Sequence, residues 1–393
     1  MTVRRDEVVA FRLHAHHLDA RLARDDLLEA AGSCAVQDSP PGSALLALHA
    51  RVDGLTRHDL EQAVGDDKSL VQTWCMRGAP FLFPTGDASV FTAGVLPPTE
   101  EAMAHFLPGV VPALRMLDLS LPDAARLCDS EIRGVLAGRQ LAIDQLGKEL
   151  ADQVSARLPA GRRRTWQQEG PYATGQPLGE AVVHFCIRLL SLRGVVCFAG
   201  RTANTAPFVL VDEWLGHPVA DVEPEPVRAE VLRRYLHCYG PSTRAGFAAW
   251  LGVRSGDTDP WWTLVEDELT RVEYNGRAWA LTADLEALRE APRAVGVRLL
   301  PPRDPYTQLR DRQTIVDKAY HREVWRAVGE PGTVLADGEV AGTWRPRKSG
   351  SRLTITVRTF GTRPPPNEGL LRQEAEQVAL LRGASSVDVM VDA

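Results

Sequence analysis

Between two apolar segments the chain reads "SCAVQDSPPGSALLALHARV", residues 33–52. Three polar side chains, Gln37, Asp38 and Ser39, stand where the chain passes from one buried helix to the next. A carboxamide, a carboxylate and a hydroxyl in a row can do two kinds of work. They can finish helices: Asp38 or Ser39, just ahead of Pro40-Pro41-Gly42, can accept from the first N–H groups of the following helix, and Gln37 can satisfy backbone groups at the end of the preceding one. They can also serve a reaction, since an amide or a hydroxyl holds a water and a carboxylate takes its proton. A turn accounts for the Asp, the Ser and the prolines, but less well for Gln37.

Other reactive types do not assemble. His14 and His17 share a helical face but His16 does not, and no cysteine or carboxylate stands beside them at metal spacing, so no metal is expected. The six cysteines (Cys34, Cys75, Cys128, Cys186, Cys197, Cys238) are scattered in apolar settings without a CxxC pair and read as reduced, buried thiols. There is no P-loop, GxGxxG, GxSxG or HExxH. A nucleotide-dependent enzyme or a serine hydrolase has no support, and no cofactor is expected.

The net charge of −6 confines any nucleic-acid contact to local patches. From Arg293 to Arg363 there are 14 Lys/Arg against 7 Asp/Glu. The excess gathers at Arg345, Arg347, Lys348 and Arg352, beside Trp344, at what should be a hairpin tip that suits a DNA groove. Arg312 is a further candidate contact, and Arg163 another, in "GRRRTW" (161–166), expected as a loop between helices. For both runs a solvated turn or linker is the plain alternative.

These residues need a scaffold, and the 393-residue chain, 44 % apolar, is long enough for several cores. One unit, two or three short helices and then a β-hairpin, recurs three times. The hairpins are "LVQTWCMR"/"APFLFP", "VVCFAG"/"PFVLVDEW" across "RTANTA", and "TRVEYNGRAWAL", whose Asn275-Gly276 is a strong turn signal. This is the winged-helix pattern. The last hundred residues carry short strands split by Gly and Pro, one helix ("EGLLRQEAEQVALLRG") and a final strand, as in a small barrel or open sheet. The expected class is α+β: winged helices at 1–125, 126–222 and 223–292, then a C-terminal β-barrel at 293–393 with the basic hairpin. No apolar run reaches the roughly 18 residues of a membrane span, and the N-terminus lacks a signal-peptide core, so a cytoplasmic monomer is expected.

Taken together, "VQDSPPGSALLALHARV", "WCMRGAPFLFP", "LGEAVVHFCIRLLSLRG", "YGPSTRAGFAAWLG", "RLLPPRDPYTQLRDR" and "GTVLADGEVAGTWR" resemble, in order and spacing, the winged-helix DNA glycosylases of the AlkZ/YcaQ type. The resemblance covers nearly the whole chain. It implies three tandem winged helices with a C-terminal β-barrel, and removal of alkylated purines from DNA. The family signature is Gln-x-Gln or Gln-x-Asp around an apolar residue. Counting back from Arg51, Gln37 matches the first Gln, Ser39 the second catalytic position and Asp38 the middle one; a His that many relatives carry after the Met-Arg-Gly stretch is Phe81 here. An N7-alkylated purine is cationic and leaves without protonation, so the protein must stabilise an oxocarbenium-like sugar and place a water. The resemblance thus implies an enzyme acting on N7-alkylated or bulky-adduct purines in duplex DNA, with Gln37, Asp38 and Ser39 as site residues. The alternative is a non-catalytic DNA-binding protein, a regulator or lesion sensor, that keeps the scaffold without the site.

Overall fold

Burial follows the apolar stripes of the sequence. Val8, Phe11, Leu13 and Leu18 are all inside, on or just beyond the helix Arg5–Ala15. The computed structural model describes residues 1–201, 205–361 and 365–392. The middle of the "RTANTA" turn and Arg363 of the basic stretch lie outside the described residues. In chain order the strands are β1 (Val36–Gln37), β2 (Leu70–Trp74), β3 (Pro80–Pro84), β4 (Val196–Phe198), β5 (Phe208–Leu210), β6 (Leu269–Glu273), β7 (Arg277–Leu281), β8 (Val297–Leu300), β9 (Gly332–Ala336), β10 (Glu339–Ser349), β11 (Arg352–Thr359) and β12 (Ser386–Asp392). With the helices they make a mixed α+β chain, as expected. It divides into two compact units.

The first unit holds Met1–Leu60, Arg233–Gly246 and Val265–Ala393. Its N-terminal helix packs Val8 and Phe11 against Val272, Ala278 and Ala280 of the β6–β7 hairpin. That hairpin turns where the sequence says it should: Asn275 and Gly276 both take positive φ, 50° and 101°, as a two-residue type I′ turn requires. The C-terminal strands form one sheet in the order β12-β11-β10-β9-β8. Neighbours are antiparallel except β11 and β12, which are parallel. A parallel neighbour needs a crossover, and the helix Glu368–Leu381 supplies it, with Leu371, Ala375, Val378 and Leu381 buried. The barrel expectation is therefore corrected. Among the described residues the sheet is open, because the crossover leaves β12 at one edge and β8 at the other, unpaired with each other.

Charged side chains buried in this unit are paired. Arg51 meets Asp304 through two contacts of 2.8 and 2.9 Å, with side chains 2 % and 0 % exposed, and also donates to the Ala47 carbonyl at 2.7 Å. Glu374 accepts Arg21 at 2.8 Å, and Arg12 reaches the Gly240 and Pro241 carbonyls and Asp311.

The second unit holds Glu61–Leu232 and Phe247–Leu264. Its helices Leu121–Leu136, Ile143–Arg157 and Leu178–Leu192 pack on one another. Gly179 is required there: a Cβ would lie 2.1 Å from the Trp166 indole. The hairpins β2–β3 and β4–β5, expected in separate copies, join in one sheet through the pairing of Gln72 with Phe198. Three expectations are corrected here. "GRRRTW" is not a loop but part of the helix Ala160–Gln167, where the run is tied down by backbone acceptors described below. "PFVLVDEW" becomes helical at Val211–Leu215. "WWTLVEDEL" keeps α-helix only at Asp259–Trp262, with a single 3-10 turn at Glu266–Glu268 before β6. The short helices Ala88–Phe91, Glu100–Phe106 and Val111–Leu117 had not been separated in the sequence. No helix among the described residues is long and apolar enough to cross a membrane.

Breaking a buried ion pair from one side strands the other charge. Arg51→Met should lower unfolding free energy by about 3–5 kcal/mol in urea denaturation. Adding Asp304→Asn, which keeps the acceptor for Tyr306 N–H, should recover part of that loss.

Candidate catalytic site

Gln37 ends β1 and is 3 % exposed; Asp38 is 7 % exposed and Ser39 only partly covered. The chain then turns through Pro40-Pro41-Gly42, with Gly42 at φ 87°, into the helix Ser43–His49. Asp38 Oδ1 accepts the Gly42 N–H at 2.7 Å and the Ala44 N–H at 3.2 Å. Of the two capping candidates, Asp38 does the work. Its negative charge also suits the positive end of the helix.

Ser39 points into a different set of groups. Its Oγ accepts Arg303 Nη1 at 3.4 Å, and Arg303 Nε lies 3.5 Å from Glu330 Oε2. Arg303 is held at φ 59°, in the left-handed region that a non-glycine residue rarely enters, one position before the buried Asp304. Burial pushes the Glu330 carboxyl above the ordinary Glu value, while Arg303 and Arg312 pull it back down. The Arg312 guanidinium lies 4.6 Å from the centre of the Trp325 ring, whose Nε1 donates to the Thr307 carbonyl at 3.1 Å. The structure thus brings two sequence candidates, Ser39 and Arg312, to one cluster. It adds Arg303, Glu330 and Trp325, which the sequence reading missed. Glu330 stands between Gly329 and Pro331 with other acids, Glu323, Asp337 and Glu339, close by in the chain, so no local pattern singled it out.

The remaining basic candidates divide by what they touch. Arg345 Nη2 donates to the Gly329 carbonyl at 2.5 Å, Lys348 to the Arg382 carbonyl at 2.9 Å, and Arg352 pairs with Asp388. Arg347, paired in register with Thr354 near the β10–β11 turn, is exposed and has no partner among the described residues. Trp344, beside them, is buried and donates to the Leu300 carbonyl at 2.8 Å. Arg163 lies in the second unit. It donates to the Ser155, Ala156 and Leu158 carbonyls, closing the end of the helix Ile143–Arg157. Phe81 is a buried strand residue beneath Arg77, 5.4 Å from its guanidinium carbon.

For a metal, the described residues offer one group: His16, Cys34 and Cys238, all buried, with donor atoms within 4.8 Å of one another. Such a sulfur and nitrogen set suits zinc or a softer ion. Spacing hid it, because the cysteines come from elsewhere in the chain. Its atoms also engage each other and the backbone: Cys34 Sγ lies 3.9 Å from His16 Nδ1, and Cys238 Sγ donates to the Ser33 carbonyl at 3.5 Å. The hydrogen bond from Cys238 holds the Cys34 thiol well below its ordinary range. All six cysteines are free and buried, as expected.

A buried carboxamide, a capped carboxylate, a hydroxyl and a carboxylate between two guanidiniums can hold a water and stabilise a developing cation. Comparison with known proteins gives that chemistry a class. The family of DNA glycosylase AlkZ-like proteins matches residues 30–381, and the chain belongs to it. A curated relative, the interstrand DNA cross-link repair glycosylase of Streptomyces sahachiroi, is 27 % identical over 98 % of each chain. The solved Streptomyces sahachiroi DNA glycosylase AlkZ superposes with a TM-score of 0.77 over the whole of both chains, at 25 % identity.

The capping role has a measurable share. Asp38→Ala should cost about 1–2 kcal/mol in thermal unfolding, and Asp38→Asn much less. Ser39→Ala, which removes no cap, should leave the melting curve in place.

Proposed function

We propose that the protein hydrolyses the N-glycosidic bond of N7-alkylated or bulky-adduct purines in duplex DNA, acting as a monomer. Family membership over residues 30–381 carries the reading. The relative named as an interstrand cross-link repair glycosylase adds cross-linked DNA as a substrate to try. In this reading Gln37 turns its amide carbonyl dipole toward the sugar as positive charge develops at C1′, in a water-poor setting where a fixed dipole counts for most. The purine, already cationic, leaves as a neutral base. Ser39 holds the attacking water, and Asp38 fixes the turn that presents both neighbours. The β10–β11 hairpin and Arg312 contact the duplex backbone, with Arg347 the hairpin side chain most available to it. Arg163 belongs to the proposed contacts only if it releases its helix end. The division into three winged helices and a C-terminal strand domain at 1–125, 126–222, 223–292 and 293–393 is part of the same proposal.

One observation favours the non-catalytic alternative: the acid of the Gln-Asp-Ser turn is engaged by two backbone N–H groups. Single-turnover release from duplex DNA carrying N7-methylguanine separates the two readings. Wild type should release the base, and Gln37→Ala should slow release at least about 10²-fold with duplex affinity kept, the scale on which a single electrostatic donor is felt. Saturable duplex binding with no release of any N7 adduct would favour the sensor. For the hairpin, Arg347→Ala should weaken binding evenly across sequences and reduce the slope of log affinity against log salt by about 1.

A further inference from the structure

Hydrolysis by water needs a group that takes the water's proton. In the Gln37–Asp38–Ser39 turn the amide cannot, and a serine hydroxyl is a poor acceptor at neutral pH. Asp38 could, but its Oδ1 holds two N–H groups of the next helix, and it is buried with that helix. Another carboxylate is wired to the turn. Arg303 bridges Ser39 Oγ, 3.4 Å from its Nη1, and Glu330 Oε2, 3.5 Å from its Nε. The bridge is held in place. Arg303 takes a left-handed backbone conformation between Pro302 and Asp304, and Asp304 is locked by Arg51. Strain of this kind persists where the surroundings enforce it, and it gathers at working sites. Glu330 itself sits on the loop leading into β9 with a side chain 16 % exposed, covered yet within reach of solvent.

We propose that Glu330 is the general base of the glycosidic hydrolysis and that Ser39 and Arg303 hold the attacking water against it. The proposal rests on the glycosylase reading above. In the step, one O–H bond of water breaks and its proton goes to a Glu330 oxygen. The water oxygen forms the bond to C1′. The C1′–N9 bond breaks with its electron pair going to the purine, which neutralises the cationic ring. Glu330 then returns the proton to solvent, and no other reactant is needed. Arg303 and Arg312 are the charged groups that face Glu330; both keep the carboxylate form accessible, while burial raises its pKa above the ordinary Glu value. A base with a raised pKa grips the proton better, as general-base catalysis requires.

The sign follows. The base works only as carboxylate, so base release falls as pH drops through the Glu330 pKa, at a higher pH than for an ordinary Glu. The test is single-turnover release of N7-methylguanine from duplex DNA across pH 4 to 9, for wild type, Glu330→Gln and Glu330→Asp, with duplex affinity and melting temperature measured in parallel. Gln keeps an acceptor for Arg303. The expected result is that Glu330→Gln loses roughly 10²-fold or more in rate and loses the acidic limb, while duplex affinity is not reduced. Glu330→Asp, which keeps the carboxylate on a shorter arm, should be slower but keep the limb, and it decides the matter should the Gln variant fail to fold. A wild type that releases base, with Glu330→Gln matching it in rate and profile, overturns the assignment and leaves the glycosylase reading standing. A wild type that releases neither N7-methylguanine nor a bulky N7 adduct overturns that reading, and the role of Glu330 falls with it.

Discussion

The Arg51–Asp304 pair is the constraint around which the first unit is arranged. Each charge is out of water, and neither would be tolerable there alone. Arg51 follows the helix that Asp38 caps, and Asp304 follows β8 and also accepts the Tyr306 N–H. To satisfy both charges, the helix and the 301–307 loop must meet in one register. Arg303 is thereby committed to a direction, and that direction brings its guanidinium to Ser39. A bond between two buried ions thus sets the position of a partly exposed polar contact.

This dependence explains what could and could not be read from the sequence. The β6–β7 hairpin was legible because Asn275-Gly276 dictates its turn locally. The helix Glu368–Leu381 was legible because its apolar residues recur at helical spacing. The turn at Gln37–Ser39 stood out because polar groups interrupt two apolar helices. The open sheet was not legible: whether β12 closes a barrel or adds a parallel edge depends on where its crossover helix lands. The link from Ser39 to Glu330 was also hidden, since it runs through side chains far apart in the chain. The same holds for His16 with Cys34 and Cys238.

Charge composition misleads in a related way. A run such as "GRRRTW" looks like a phosphate contact, yet Arg162 and Arg163 donate to the last carbonyls of helices, which lack intrahelical partners. An arginine near a helix end has backbone acceptors close by and no need of a polyanion. Lys348 and Arg352 are likewise occupied, by Arg382 and Asp388. The net charge of −6 points the same way. The proposed duplex contact on the C-terminal sheet would depend on a few cations that are free or can exchange an exposed partner for a phosphate, and among the described residues Arg347 is the clearest of them. Exposed ion pairs exchange at little cost, because such pairs contribute little in water.

Arg345 connects the two halves of the problem. It lies on β10, where the sequence suggested a grip on DNA, and it donates to the carbonyl of Gly329, the residue before Glu330. A phosphate that drew this guanidinium away would release one restraint on the loop carrying the carboxylate; a phosphate sharing it would fix that loop more firmly. Either way, the β10–β11 hairpin is hydrogen-bonded to the residue next to Glu330, the acid that Arg303 links to Ser39. The Gln-Asp-Ser turn is short of an available acid because its own acid holds the helix. The one acid of the β10–β11 hairpin, Glu339, is held by Arg5 at the far end from the turn, while Arg345 ties the hairpin to the loop that carries Glu330.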